Sequence, residues 1–165
     1  PPDKVHSFAL REAGGLVIAG RKGFAFYDPE SGAYELLHDP REDAEGTLLN
    51  DGRADRQGRF WAGSMDKMLN RPSGQLFRLD SDGASHMAAD GITLSNGVAF
   101  SPDGSTLYYA DSLLKNIFAY DLDAETGALS NKRVFAETGA LPGIPDITPT
   151  IGGTKAGSSG SLIQE

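Results

Sequence analysis

Cysteine is absent from these 165 residues, which excludes disulfides, thiolate nucleophiles and cysteine-bearing zinc sites together. Basic charge is scarce too: 15 Lys and Arg stand against 23 Asp and Glu, for a formal net charge of -8. Such a chain repels phosphate backbones and anionic lipid, because nonspecific nucleic-acid binding needs a basic face that releases counterions. Neither nucleic acid nor a membrane surface is an expected partner. No apolar run approaches the roughly 20 residues that span a bilayer, and no basic and apolar leader opens the chain at Pro1-Pro2-Asp3. The expectation is a soluble, cytoplasmic protein. A sustained 3.6-residue apolar period is also missing, so long helices are not expected.

What the chain does have is turns. Its 21 Gly and 9 Pro punctuate short apolar runs, as in an all-β protein of many short strands. The clearest case is the stretch 95–111, in which Val98-Ala99-Phe100 and Leu107-Tyr108-Tyr109 flank Pro102-Asp103-Gly104. Proline presets φ at the first corner of such a turn and glycine takes the φ that other residues resist. Weaker copies lie upstream. Aligned on Ala9, Ala54 and Ala99, the copies step by 45 residues (54 − 9 and 99 − 54), within the roughly 40 to 50 residues of a four-stranded propeller blade.

The expected architecture is therefore β-propeller blades of four antiparallel strands, about 5–45, 46–92 and 93–146, followed by an irregular Gly/Ser-rich tail over 147–165. A blade has two apolar faces and needs neighbours on both, which a closed ring supplies. Three blades make half of a six-bladed ring, so either the sequence is half of a larger chain or, the favoured expectation, a homodimer completes the ring through a two-fold interface.

Three polar residues stand at equivalent points, each just ahead of an inner strand: Asn50, Asn96 and Asp146. Their near-blade spacing predicts that they converge on one mouth of the central channel. Amide and carboxylate oxygens are hard donors that suit calcium or magnesium rather than copper. A cation held there would polarise an ester carbonyl, with Asp146 or a bound water as base or nucleophile. Asn and Asp ahead of strands also serve as plain turn formers.

Long motifs sharpen this reading. Asn50-Asp51-Gly52-Arg53-Ala54-Asp55, Gly58-Arg59-Phe60-Trp61-Ala62-Gly63-Ser64-Met65, Leu94-Ser95-Asn96-Gly97 and Tyr109-Ala110-Asp111-Ser112 closely resemble motifs of the regucalcin, gluconolactonase and luciferin-regenerating-enzyme family. The similarity runs from about Ser7 to Asp146 and covers the middle half of a typical member. It implies a six-bladed propeller with one divalent cation, most simply calcium, with magnesium, manganese or zinc as alternatives, and hydrolysis of sugar lactones or related esters. It further implies that Asn96 is a metal ligand, that Asn50 lies at the metal or the substrate, and that Asp146 is a metal ligand and the general base. Three positions depart from the family pattern. Its first metal ligand, a Glu, would fall before Pro1; its Arg two residues before Asn50 is Leu48; and its glycine after Asp146 is Ile147.

The other polar patterns have plainer explanations. Asp121, Asp123 and Glu125 alternate as in a calcium loop, but Gly127 falls one place late and no closing Glu follows. His6, His38 and His86 fit no metal or triad spacing and are expected at the surface or at strand ends. Ser64 and Ser158 lack the glycines of a nucleophile elbow. Trp61, Tyr108 and Tyr109 are expected to pack within or between blades. The leading expectation is a metal-dependent lactone hydrolase. A noncatalytic calcium-binding or assembly module is the alternative, and a pure protein-interaction propeller the third.

Overall fold

A computed structural model describes residues 3–43 and 45–140 of the chain. Twelve strands form three four-stranded antiparallel sheets in simple meander order. The first holds β1 (Val5–Leu10), β2 (Leu16–Gly20), β3 (Gly23–Tyr27) and β4 (Tyr34–His38). β5 (Thr47–Ala54), β6 (Phe60–Asp66), β7 (Gly74–Leu79) and β8 (Ser85–Ile92) form the second. The third contains β9 (Ser95–Phe100), β10 (Thr106–Asp111), β11 (Asn116–Leu122) and β12 (Leu129–Glu137), with a single 3-10 turn at Thr138–Ala140. Among the described residues no helix is long and apolar enough to cross a membrane.

The local signals act as the turn chemistry requires. In the Pro102-Asp103-Gly104 turn the Gly104 N–H donates to Ser101 O at 2.9 Å, and Gly104 sits at φ +75°, in the left-handed region that glycine enters at no steric cost. β9 and β10 consequently pair antiparallel, with Leu107 opposite Phe100.

Packing between sheets, not within them, makes the core. One apolar cluster joins Val17, Ala19 and Phe24 of the first sheet to Leu49, Phe60, Ala62, Phe77 and Leu79 of the second. Another joins Trp61, Leu76 and Ile92 of the second to Val98, Leu107, Tyr109, Phe118, Tyr120 and Leu122 of the third. Side chains alternate across a strand, so Phe60 and Ala62 face one neighbour while Trp61, between them, faces the other. The middle sheet is thus buried on both faces, and this is why β6 reads as an almost unbroken apolar run instead of alternating with polar residues. Each fully buried large side chain contributes about 1.5–3 kcal/mol. The seams, more than any strand's intrinsic preference, hold the three sheets together as successive blades.

Trp61 and Tyr109 are fully buried. Tyr109 stacks on Phe118 at 5.6 Å, and Tyr108 meets Phe135 edge-on at 4.9 Å. Burial, and after it the charge of Asp111, pushes the Tyr109 hydroxyl well above its ordinary range, so it stays neutral. Asp146 and the tail 147–165 lie outside the described residues.

Candidate functional site

The inner strands β1, β5 and β9 all start at the same end of the assembly, and each breaks its pairing register close to that end. The breaks fall between Val5 and Ser7 in β1, between Leu49 and Gly52 in β5, and at the part of β9 that faces Tyr108 to Ala110. Such irregularities re-aim side chains that a regular ladder would send alternately to the two faces. Asn50 and Asn96 sit at these breaks. They lie inside β5 and β9 rather than just ahead of them, because the inner strands continue through the polar residues that interrupt their apolar pattern.

The two carboxamides meet. Asn50 Nδ2 donates to Asn96 Oδ1 at 3.1 Å and to Ser95 O at 2.9 Å. One amide of the second blade therefore bridges to the side chain and the backbone of the third. Asn96 Nδ2 in turn donates to Ser112 Oγ at 2.9 Å. On the other side, the His6 ring hydrogen-bonds Leu49 O through Nδ1, which ties the first blade to the residue before Asn50. A polar chain thus runs across all three blades at one mouth.

Two acidic residues that sequence reasoning did not single out as site residues hold this arrangement in place. Asp51 Oδ2 accepts the Gly97 N–H at 2.7 Å, while Oδ1 accepts the Gly52 N–H at 2.9 Å. Gly97 has φ +57°, a conformation that a β-carbon resists. The Asp51 carboxylate thereby fixes the left-handed glycine directly after Asn96. Asp111 is fully buried and accepts backbone N–H groups from Thr93 at 2.7 Å, Leu94 at 3.2 Å, Leu113 at 3.2 Å and Leu114 at 3.3 Å. It clamps the segment that leads into β9 to the loop that follows β10. Asp66 occupies the equivalent place one blade earlier and is likewise fully buried. The Asn70 N–H on its carboxylate, supported by Arg71 and Ser73, holds its pKa below the ordinary range although burial opposes this. The available signal was the 45-residue step between Asp66 and Asp111, at the ends of the second strands of their sheets.

The remaining polar patterns have structural roles. His38 Nε2 pairs with Ser85 Oγ at 2.7 Å, and His86 lies 3.2 Å from Asp80. His6 lies within β1 rather than at its end. Asp121 binds Asn131 and Arg133, and Asp123 caps its own turn by accepting the Glu125 and Thr126 N–H groups. Ser64 Oγ accepts the Gln75 N–H at 2.8 Å, a cross-strand bond.

The donors fit a hard cation in kind. Asn50 and Asn96 bring carboxamides from adjacent blades to one place, with the Asn96 oxygen accepting the Asn50 N–H, and a carboxamide oxygen is a donor that calcium and magnesium take. The two amides carry no charge, and Asp51, the carboxylate beside them, is occupied by backbone N–H groups. Among the described residues no three His, Asp or Glu side chains gather as a ligand cluster.

The family described as SMP-30/Gluconolactonase/LRE-like region matches residues 1–148. The chain belongs to that family. The 6-deoxy-6-sulfogluconolactonase of Pseudomonas putida is 36% identical over 136 residues, which cover 82% of this chain and 46% of the relative. Regucalcin of Xenopus laevis is 37% identical over 147 residues, covering 86% of this chain and 49% of that one. Among solved structures, the calcium-binding protein regucalcin from Agrobacterium tumefaciens superposes with a TM-score of 0.76 at 27% identity, over 83% of this chain and 46% of that one. The chain thus spans about half the length of the SMP-30/gluconolactonase/LRE-like relatives it matches. Three blades over half that length agree with the six-bladed propeller that the family resemblance implied.

Proposed function

We propose that this chain carries part of the active mouth of a metal-dependent hydrolase acting on sugar lactones or related esters. The observation that carries this reading is the meeting of Asn50 and Asn96, from successive blades, at 3.1 Å, in a chain whose relatives include a named lactonase and a named calcium-binding protein. Asn96 would hold a divalent cation, calcium first, and Asn50 would hold the cation or orient the substrate oxygen. Asp146 would supply the ligand carboxylate and the general base. A cation bound there supplies Lewis-acid polarisation of an ester carbonyl. The protein's own part is to place the carboxamides and to take a proton: water adds to the lactone carbonyl carbon, the ring C–O bond breaks, and the ring oxygen leaves as the hydroxyl of an open hydroxy acid.

Titration at constant pH with glucono-δ-lactone, with and without chelator, tests the proposal. Base uptake above the uncatalysed rate that chelator abolishes, and that Asn96→Ala lowers, is the expected result. Hydrolysis no faster than the buffer blank would defeat it. One observation favours a second reading, a noncatalytic calcium-binding or assembly module: Leu48 stands two residues before Asn50, where the family motif has Arg. Calorimetry with calcium separates the two if heat of binding appears without turnover. We further propose that a second copy covers the outer sheets, since Phe8 on β1 and Phe135 on β12 are 59% and 62% exposed. Light scattering is expected to give twice the 17.5 kDa chain mass; a stable monomer would exclude that assembly.

A further inference from the structure

The end of the assembly away from Asn50 and Asn96 mixes arginines with acidic residues: Arg11, Glu12, Asp55, Arg56 and Asp80 line one cavity there. Inner strands β1, β5 and β9 finish there, and the β1–β2, β5–β6 and β9–β10 turns gather beside them. Three arginines, Arg11, Arg53 and Arg56, lie at these strand ends. Arg11 and Arg56 stand one 45-residue repeat apart, and Arg11 lies over the Phe26 ring at 3.6 Å. Elsewhere Arg41, Arg59, Arg71, Arg78 and Arg133 each reach an aspartate. Arg53 and Arg56 pair with no carboxylate among the described residues, in a chain whose formal net charge is -8.

The carboxylates of Asp55, beside Arg56 in sequence, and of Asp103, in the turn that Arg56 approaches, are already engaged. Asp55 is buried and accepts Arg59 Nε at 2.6 Å and Trp61 Nε1 at 2.9 Å, together with the N–H groups of Gln57 and Arg59. Asp103 accepts the hydroxyls of Ser101 and Ser105, at 2.5 and 2.9 Å. With these acids turned to local partners, neither arginine forms an ion pair among the described residues, although Glu12 and Asp80 line a neighbouring cavity with Arg56.

Arg53 and Arg56 line one cleft between the second and third blades together with Asp55, with Phe100 and Ser101 on its far wall. Its volume is about 460 Å³, within the roughly 300–1,000 Å³ of small-molecule sites. The Phe100 ring leans on Trp61 at 6.1 Å, so the apolar wall is anchored in the core. Guanidinium presents parallel N–H donors that match phosphate oxygens in pairs, and two of them suit a doubly charged anion. A polymeric phosphate chain is disfavoured by the acidity of the remaining surface.

We propose that this cleft is a second binding site, one that takes a small phosphorylated molecule: Arg53 and Arg56 hold the phosphate, and Phe100 contacts the body of the ligand. The site is separate from the Asn50/Asn96 mouth and does not depend on the lactonase reading. Calorimetric titration of the full chain with phenyl phosphate and with inorganic phosphate tests it. Saturable binding of one equivalent is expected, tighter for phenyl phosphate, and Arg53→Gln and Arg56→Gln should each weaken it about tenfold or more. Arg133→Gln, which removes an exposed arginine on β12 paired with Asp121, should leave the affinity unchanged. Three results would overturn the proposal: no saturation up to about 10 mM ligand, affinities indifferent to the Arg53 and Arg56 substitutions, or an equal loss in Arg133→Gln. Arg53 and Arg56 are exposed, so both variants keep the core intact, and an unchanged circular dichroism spectrum verifies this.

Discussion

Gly63 is the point at which the seam between the second and third blades tolerates no side chain. A β-carbon built there would lie 1.7 Å from Ser95 Oγ and 2.4 Å from Ser95 Cβ, against the roughly 3.5–4.0 Å at which carbon atoms rest. Turning the Ser95 side chain would move the hydroxyl but leave the Cβ clash, so Gly63→Ala must push β6 and β9 apart by more than an ångström. Overpacking of this kind costs about 1–3 kcal/mol. The same displacement reaches the polar mouth, because Ser95 O accepts the Asn50 amide and Asn96 is the next residue. A compensating change is available. Ser95→Gly removes both clashing atoms and leaves Ser95 Cα at 3.8 Å from the new methyl group. Ser95 Oγ has no hydrogen-bond partner among the described residues, so this substitution alone costs about the 0.5–1 kcal/mol of a glycine within a strand. Urea unfolding of the four proteins of this double-mutant cycle should show Gly63→Ala destabilised by about 1–3 kcal/mol, and the double variant within about 0.5 kcal/mol of Ser95→Gly. A Gly63→Ala chain as stable as the parent, or a double variant that suffers both losses in full, would refute the close approach of these two strands.

Asp111→Asn replaces one carboxylate oxygen by an N–H donor facing backbone N–H groups, and leaving a buried donor unpaired costs about 1–3 kcal/mol; a lowered urea midpoint with an unchanged slope is the expected reading. Acid should destabilise the fold through Asp28, Asp66, Asp103, Asp121 and Asp123, all held below the ordinary 3.8. The Ser101 hydroxyl, followed by the Ser105 N–H, brings Asp103 down to about 2. Because the folded values are the depressed ones, the stabilisation is complete above 3.8 and disappears as pH falls towards 2. The Tm should therefore be level near neutral pH and decline through that acid window; a Tm that rose on acidification would contradict the hydrogen bonding of these carboxylates. Trp61, the single tryptophan, is fully buried, so its fluorescence should resist quenching by iodide until the chain unfolds.

The three-blade pattern was legible in the sequence because a blade is built from local contacts. Each turn is set by residues such as Pro102 and Gly104, each strand by its short apolar run, and both recur at a fixed step. Asn50 and Asn96 were legible for the same reason, since a repeat places equivalent residues at equivalent points of successive sheets. What the step could not show is which atoms would meet. Placing Asn50 Nδ2 against Asn96 Oδ1 depends on the register breaks in β5 and β9 and on the distance between two sheets, and that distance is set by how Leu49, Trp61 and Tyr109 fill the seams. Asp51 and Asp111 became visible as positioning groups only once the strands lay beside one another, because their partners are backbone N–H groups whose position no residue identity reveals. The sequence determined the unit and its repetition, since these rest on neighbours along the chain; the tertiary structure alone decided the contacts at the mouth, since these depend on packing between residues a whole blade apart.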